Sequence, residues 1–297
     1  MTIFFATLAI ASDWEKEAVL LIESLRTFGG KYANNPAAIF SLKDNPLAKK
    51  TLKKLEVFEA ENVEFEMDPA SLNFPLAMVV HGAAAAERHL QSSSDILVWL
   101  LPDTIILNEP TAFLLPNDRK LGYRPVHHQN IGSSYNQPLD SFWQRVYQHC
   151  FVPQEHVFRM ETCYRETVRP YFNAGILVTR PEDGLMSDWL EAFQGSFQHP
   201  DFVPFFQQRK YAIFMHQAIL AGVVLKKYIP SQLESMPESY NYPLHMHANY
   251  PEPGRAKNVN QLVTVRYERL PLLKGFINQI QVDLPLQEWF KEKKLHQ

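Results

Sequence analysis

Apolar residues fill two long stretches of the chain, and each stretch begins or is interrupted at a few polar side chains. The first runs from position 95 to position 107 and is broken by Pro102 and Asp103. The second is Tyr-Phe-Asn-Ala-Gly-Ile-Leu-Val at 171–178. A parallel strand that is buried on both faces has such a continuous apolar pattern, so each stretch predicts a buried strand. Open α/β sheets bind ligands at the carboxyl ends of their strands, and we therefore expect Asp103 at the rim of a site.

The N-terminal pattern predicts a strand followed at once by a helix. Residues 2–11 are almost wholly apolar, and Ser12 and Glu15 then have the spacing of a helix-capping box. Apolar residues recur at helical spacing as far as Phe28, and Gly29 and Gly30 predict the end of that helix.

The same strand-then-helix alternation continues along the chain. Further strands are predicted at 37–42, 63–67, 95–100, 172–178, 223–229 and 262–267, and further helices at 75–91, 139–150, 181–194, 211–221 and from 285. Gly222 is expected to cap the helix that ends at 221. The alternation predicts a single α/β domain over 1–297, with a mixed, mostly parallel sheet flanked by helices.

The composition and charge of the chain limit the partners and the cellular location that we expect. The net charge is −3, and the 29 Lys and Arg residues are scattered, so we expect no nucleic acid among the partners. The two cysteines do not make a disulfide framework. The apolar N-terminus ends after about ten residues, too short for a membrane span. We therefore expect no transmembrane segment and a cytoplasmic protein.

The order of Asp103 and the segment Phe172-Asn-Ala-Gly-Ile-Leu177 resembles the nucleotide-sugar glycosyltransferases of the GT-A fold. The glycogenin-like enzymes and the bacterial lipopolysaccharide galactosyltransferases have this arrangement. The resemblance implies a nucleotide-diphosphate sugar donor and a hydroxyl acceptor of unknown identity. It also implies a nucleotide-binding half at 1–107, a sugar and acceptor half at 108–283 with an irregular loop at 230–258, and a C-terminal helix at 284–297.

The resemblance implies three groups of site residues. The catalytic candidates are Asp103, His216 and Gln217. The candidates for contact with the nucleotide and its diphosphate are Thr7, Ala9, Ser12, Arg88, Asp103 and Arg266. The candidates for contact with the sugar or acceptor are Asn173, Ala174, Gly175 and Asn241, to which we add the histidines His128, His245 and His247 as polar loop residues.

Two departures from the family pattern concern the metal. The family usually has Asp-x-Asp where this chain has Leu101-Pro102-Asp103, so Asp103 alone remains as a weak metal ligand. Arg266 stands where relatives have a metal-binding histidine. An incomplete set of ligands disfavours a hard cation, whereas an arginine can bind phosphate directly. We therefore expect a metal-independent or weakly metal-dependent enzyme; no cofactor is certain, and Mn²⁺ or Mg²⁺ stays open.

Three other functions compete with this interpretation. The first is a non-catalytic protein that binds nucleotide sugar on a decayed transferase scaffold. The second is a metal hydrolase built on His127, His245 and His247, because histidines at i and i+2 of a strand face the same way. The third is a sugar-nucleotide-forming nucleotidyltransferase, which is disfavoured because residues 9–14 lack a Gly-rich, basic signature.

Overall fold

The computed structural model describes residues 2–10, 12–90 and 96–295, without the side chains of Ser12 and Asp13. The α-helices are α1 (Ser12–Phe28), α2 (Lys49–Val57), α3 (Ala77–Leu90), α4 (Ser141–His149), α5 (Leu185–Ser196), α6 (Arg209–Lys227), α7 (Leu270–Ile277) and α8 (Leu286–Glu292). The strands are β1 (Ile3–Ala9), β2 (Ala37–Leu42), β3 (Glu61–Phe65), β4 (Ile96–Leu100), β5 (Thr104–Ile106), β6 (Leu121–Pro125), β7 (Met160–Glu161), β8 (Thr167–Val168), β9 (Phe172–Thr179), β10 (Leu233–Ser235), β11 (Tyr242–Pro243) and β12 (Thr264–Arg266).

Seven strands form a mostly parallel sheet in the order β10-β6-β9-β4-β1-β2-β3. Strands β1 and β2 are parallel, whereas β6 is antiparallel to β9. A three-stranded sheet has the order β11-β12-β5, and β7 pairs with β8. The predicted α/β class with a mixed, mostly parallel sheet is confirmed.

The chain divides into two compact units, each assembled from separated segments. We call them the β1 unit, with residues 3–64, 100–114 and 236–297, and the β9 unit, with residues 1–2, 65–99 and 115–235. The predicted division into halves at residue 107 stays a prediction.

In the β1 unit, α1 buries the apolar stripe that its sequence pattern predicted. Leu21, Ile22 and Leu25 are all buried, and α1 packs on β1 and β5. The helix ends at Phe28 as predicted, and Gly30 follows with a positive φ of 56° that favours glycine. Glu15 accepts hydrogen bonds from the backbone N–H of Ala48 and the hydroxyl of Thr51, so its carboxylate caps the start of α2. The other member of the predicted capping box, Ser12, has a side chain outside the described residues.

In the β9 unit, the structure corrects the prediction around Gly222. Helix α6 continues through Gly222 to Lys227, so residues 223–227 of the strand expected at 223–229 are helical. A Cβ added at Gly222 would lie 2.5 Å from the Sγ of Cys150, which directly follows α4. This glycine therefore allows close packing between neighbouring segments instead of ending a helix. The strand of this region comes later, as β10.

A buried acid fixes the start of α5 in the same unit. The carboxylate of Glu87 accepts hydrogen bonds from the backbone N–H groups of Met186 and Ser187, both at 2.8 Å, and from the Ser187 hydroxyl at 2.7 Å. Burial raises the pKa of Glu87, and these hydrogen bonds oppose the rise. Glu87 therefore serves as a helix cap supplied from another helix.

Two elements formed by apolar sequence were not predicted. The strand expected at 95–100 is observed as β4, and the apolar residues after it form a second strand, β5, because residues 101–103 turn between them. The stretch 270–277 forms α7, which no prediction included. In the part of the chain that the structure describes, no helix has the length and apolar character needed to cross a bilayer.

Candidate functional site

Asp103 and Arg266 form a buried ion pair in the β1 unit. Asp103 lies in the turn before β5, and Arg266 lies on β12, which is antiparallel to β5 with Arg266 opposite Thr104. The backbone N–H of Tyr267 donates to the carbonyl of Asp103 at 3.2 Å, so the register holds the two side chains together. The Nη2 of Arg266 donates to the Oδ2 of Asp103 at 2.7 Å. Two residues far apart in sequence are thus adjacent in the fold.

The guanidinium of Arg266 keeps an unused donor. Its Nε is buried and has no hydrogen-bond partner among the described residues. Buried N–H groups without a partner are rare in native proteins, and such a group calls for a specific explanation. The pair orients the guanidinium through Nη2, while Nε has no hydrogen-bond partner among the described residues.

Polar side chains surround this pair. We call Asp103, His245, Arg266, Tyr267 and Glu268 the Asp103 cluster. The Nδ1 of His245 lies 3.4 Å from the carbonyl oxygen of Arg266, and its Nε2 lies 3.4 Å from Oε1 of Glu268. Burial lowers the pKa of His245, and the negative charge of Glu268 opposes this effect. Glu268 has a positive φ of 67°, an uncommon conformation that often marks functional segments.

Tyr267 is fully buried beside the ion pair. Its hydroxyl has no hydrogen-bond partner among the described residues. Burial raises the pKa of Tyr267 far above its usual value, and the negative charges of Glu17 and Asp103 raise it further. Glu17 is also buried and accepts from the backbone N–H of Leu270 at 3.1 Å. Tyr267 is therefore a neutral hydrogen-bonding group beside the charged pair.

The predicted nucleotide contacts on β1 lie in the core. Thr7 and Ala9 are fully buried, and Thr7 lines a small apolar void together with Leu21 and Leu25 of α1. The side chain of Ser12 lies outside the described residues. The described side chains therefore give no support to the predicted nucleotide contacts of Thr7 and Ala9.

The other predicted residues of the β1 unit have separate partners. Asn241 is buried with a φ of 52°, and its backbone N–H donates to the Thr264 hydroxyl at 2.7 Å. The Nδ1 of His247 lies 2.8 Å from the hydroxyl of Tyr242. His245 and His247 lie in a 3₁₀-helix, Leu244–Asn249, so the argument that places both on one face of a strand does not apply.

In the β9 unit, Asn173, Ala174, Gly175 and Gln217 form what we call the β9–α6 network. The Oε1 of Gln217 accepts from the backbone N–H of Ala174 at 3.0 Å. The Oδ1 of Asn173 accepts from the backbone N–H of Gly175 at 2.9 Å. The side-chain oxygens of this predicted motif therefore satisfy the backbone at the entry of β9, and the structure brings these four residues together.

His216 precedes Gln217 in α6 but has a different environment. Its Nδ1 lies 2.9 Å from the carbonyl oxygen of Ile213, and its own carbonyl accepts from Nε1 of Trp189 at 2.8 Å. Burial lowers the pKa of His216 to about 4. The imidazole is therefore neutral near pH 7, and its pKa is poorly matched to a general base at that pH.

Arg88 and His128 are the remaining predicted residues of this unit. Arg88 is exposed at the end of α3, whereas His81 and Ala85 of the same helix are buried. The ring of His128 lies over Tyr164 with 3.9 Å between the centroids, and its Nδ1 is 3.8 Å from Oε2 of Glu166. Both side chains are accessible enough to meet a ligand.

The comparison with protein-family models matches residues 6–225 to the Rhodobacterales glycosyltransferase domain. The chain belongs to this glycosyltransferase family. A comparison with curated proteins gave no match. The match includes Asp103 and the β9–α6 network, and it ends before Asn241, His245, His247 and Arg266.

The glycosyltransferase domain also contains a group of side chains that the sequence analysis missed. His149, His199 and Asp201 form the one group of three potential metal ligands found among residues 2–10, 12–90 and 96–295. Asp103, His128, His245 and His247 do not belong to it. The separation of His149 from the other two by fifty residues leaves no spacing signal in the sequence, so only the fold reveals this group.

Proposed function

We propose that this chain binds a nucleotide-diphosphate sugar through the Asp103 cluster and transfers the sugar to a hydroxyl acceptor. Membership of a glycosyltransferase family supports the reaction class. The observation that carries the binding step is the buried Nε of Arg266, which has no partner among the described residues although Asp103 fixes the guanidinium. A phosphate oxygen is a fitting acceptor for that donor, because charge-assisted bonds from arginine to phosphate are strong and directional.

The proposed transfer requires stabilisation of the diphosphate as it leaves the sugar. As the bond between the sugar and the diphosphate breaks, negative charge grows on the leaving oxygen. A preoriented guanidinium placed there lowers the barrier by electrostatic stabilisation. Asp103 holds Arg266 in position, and the Tyr267 hydroxyl offers a further neutral donor beside it. In this proposal Arg266 supplies the positive charge that relatives obtain from a divalent cation, so transfer proceeds without Mn²⁺ or Mg²⁺.

Within the β9 unit, Asn173 and His128 are the residues that we propose for contact with a sugar or an acceptor. The Oδ1 of Asn173 is held by the backbone N–H of Gly175. An amide fixed through its oxygen can direct its NH₂ group at a sugar hydroxyl. Gln217 and Ala174 then position the start of β9, and His128 is a candidate for the acceptor.

The same ion pair favours a second function, binding without turnover. Asp103 is engaged by Arg266, so its carboxylate is less available as a metal ligand. A scaffold of this kind could bind a nucleotide sugar as a sensor or carrier. The two functions differ in one measurable property, which is the release of nucleoside diphosphate.

The first experiment is a thermal-shift panel of UDP, GDP, ADP, CDP and their common sugars, with EDTA or with Mn²⁺. A ligand at a hundred times its dissociation constant adds about 2.7 kcal/mol to the free energy of unfolding. For a chain of this size this is a rise of roughly 5–11 °C in Tm. We expect one nucleotide family to give such a rise equally in EDTA and in Mn²⁺.

Two variants assign the shift to the proposed site. Arg266→Lys should lose most of the shift, because lysine lacks the planar set of donors. The matched control is Lys31→Gln, which removes a cation of the same unit from an exposed pair with Glu109 and should keep the full shift. An unchanged shift in Arg266→Lys, or a shift that requires Mn²⁺, would overturn the binding proposal. Nucleoside diphosphate release from the identified donor then separates transfer from binding alone.

A further inference from the structure

The histidine and aspartate group noted above lies wholly within the β9 unit and outside the proposed donor site. His149 is the last residue of α4. His199 and Asp201 lie in the turn that follows α5, where the backbone N–H of Phe202 donates to the carbonyl of His199 at 2.9 Å. The end of α4 and the turn after α5 therefore bring together two imidazoles and one carboxylate.

The spacing of the three side chains suits a small cation. The Oδ2 of Asp201 lies 3.0 Å from Nε2 of His149 and 3.9 Å from Nδ1 of His199. One ligand atom from each of the three residues lies within 4.8 Å of the other two. Ligands bound tetrahedrally at about 2.0–2.2 Å from Zn²⁺ are roughly 3.3–3.6 Å apart, so small side-chain movements would complete the geometry.

One local hydrogen bond fixes the tautomer of His199. The backbone N–H of Asp201 donates to Nδ1 of His199 at 3.2 Å, so that nitrogen carries no proton, and a metal bound there would replace this hydrogen bond. His149 ends a helix, where the helix dipole favours a positive charge. The two rings meet edge to face with 4.4 Å between their centroids, which places their nitrogens beside the same carboxylate.

We propose that Nε2 of His149, Nδ1 of His199 and Oδ2 of Asp201 bind a divalent transition metal of the Zn²⁺ class. Two imidazoles and one carboxylate suit Zn²⁺ better than Mg²⁺ or Ca²⁺, which prefer sets of oxygen ligands. All three side chains are partly exposed, so water can occupy a fourth position. His149 also lines a cavity of about 410 Å³ whose walls include Asp188, Glu191, Lys226 and Lys227.

One neighbouring charge opposes the metal and provides a test of the site. The Nη1 of Arg145 lies 4.0 Å from Oδ2 of Asp201, and the side chain of Arg145 is about half exposed. A cation bound by Asp201 would be repelled by this guanidinium, with partial screening by solvent. Replacing Arg145 by a neutral residue should therefore tighten metal binding, an effect that a metal-free surface trio would not show.

The experiment uses the full chain without a histidine tag, stripped with EDTA and dialysed. Titration with Co²⁺ is followed by visible absorption, and Zn²⁺ is then added as a competitor. We expect one equivalent of Co²⁺ to bind with the intense bands of a four-coordinate ion and one equivalent of Zn²⁺ to displace it. His199→Ala and Asp201→Asn should each weaken Zn²⁺ binding at least tenfold in calorimetry, and Arg145→Gln should strengthen it severalfold.

A control variant tests whether the loss of Zn²⁺ affinity is specific to the three proposed ligands. His89→Gln removes an exposed histidine of the same unit and should leave the Zn²⁺ affinity unchanged. Circular dichroism of each variant shows that it is folded. An absence of stoichiometric Co²⁺ binding, or equal Zn²⁺ affinity in the wild type and in folded His199→Ala, would overturn the proposal. Arg266→Lys should still bind Zn²⁺, so a failure of the donor proposal remains distinguishable from a failure of this one.

Discussion

The Asp103 cluster and the β9–α6 network are both built from residues that the family resemblance singled out, but they use their polar atoms differently. In the network, Asn173 and Gln217 accept from the backbone N–H groups of Gly175 and Ala174. In the cluster, the Nε of Arg266 and the hydroxyl of Tyr267 are buried without partners among the described residues. The satisfied atoms of the network support the fold, whereas the buried donors of the cluster lack partners and are the reason why we propose a ligand there.

The largest effect that tests this comparison is expected from Arg266→Leu. This change leaves the buried carboxylate of Asp103 without its partner, which costs about 3–5 kcal/mol of the free energy of unfolding. Urea denaturation measures the loss. The double variant Asp103→Asn, Arg266→Leu should recover much of it, because no buried charge remains. A loss below 1 kcal/mol in the single variant would show that solvent already shields the pair.

The next effect is the pH dependence that His216 gives to the β9 unit. Its pKa is about 4 in the folded protein and 6.5 in its ordinary state, so the unfolded chain binds the proton first as the pH falls. The contribution to stability is complete above about pH 6.5 and is lost as the pH falls from 6.5 to about 4. The pKa difference corresponds to at most about 3 kcal/mol.

The measurement is the free energy of unfolding of the wild type and of His216→Gln across this pH range. The variant should show a shallower dependence. His81, His245 and His247 also have lowered pKa values, so part of the slope remains in both proteins. Identical slopes in the two proteins would contradict the assignment to His216.

A smaller effect is expected from Gln217→Ala in the β9–α6 network. The backbone N–H of Ala174 loses its acceptor, and an unsatisfied buried group costs about 1–3 kcal/mol. We expect the free energy of unfolding to fall while the nucleotide affinity of the folded protein stays unchanged. Gln217→Glu retains an acceptor oxygen and serves as the conservative control. A loss of nucleotide affinity without a loss of stability would reverse the roles given to the two regions.

The smallest effects come from two helical glycines of the β9 unit. Gly222→Ala places a methyl group against Cys150 and should destabilise the protein by about 1–2 kcal/mol, after the gain in helix propensity is included. Gly195→Ala meets no atom within 4 Å and should stabilise α5 by about 0.5–1 kcal/mol. Thermal denaturation compares the two. Equal shifts for both variants would show that the packing at Gly222 relaxes.

Much of the fold was predictable, because it depends on local patterns. Strand β2 was predicted at its observed bounds, 37–42, and α1 ends at Phe28 before Gly29 as expected. The prediction at Gly222 was wrong because a glycine that ends a helix and one that permits close packing have the same sequence signature. Which of the two it is depends on Cys150, more than seventy positions earlier.

The site was predictable only in part, for a related reason. Asp103 and Arg266 were named separately from motif positions, but their hydrogen bond depends on the pairing of β5 and β12. His245 and His247 were expected to share one face of a strand. They lie instead in a 3₁₀-helix, which no sequence pattern predicted, and each contacts a different partner. His149, His199 and Asp201 become a group through tertiary structure alone.

The interval of 163 residues between Asp103 and Arg266 also has a consequence for synthesis of the protein. At a translation rate of roughly 5–20 residues per second, about 8–30 s separate the appearance of the two residues on the ribosome. During this time the carboxylate has no partner and strand β5 lacks its neighbour β12. We expect the nascent β1 unit to remain incomplete until its C-terminal segment emerges, which makes this interval the period of greatest exposure to chaperones and proteases.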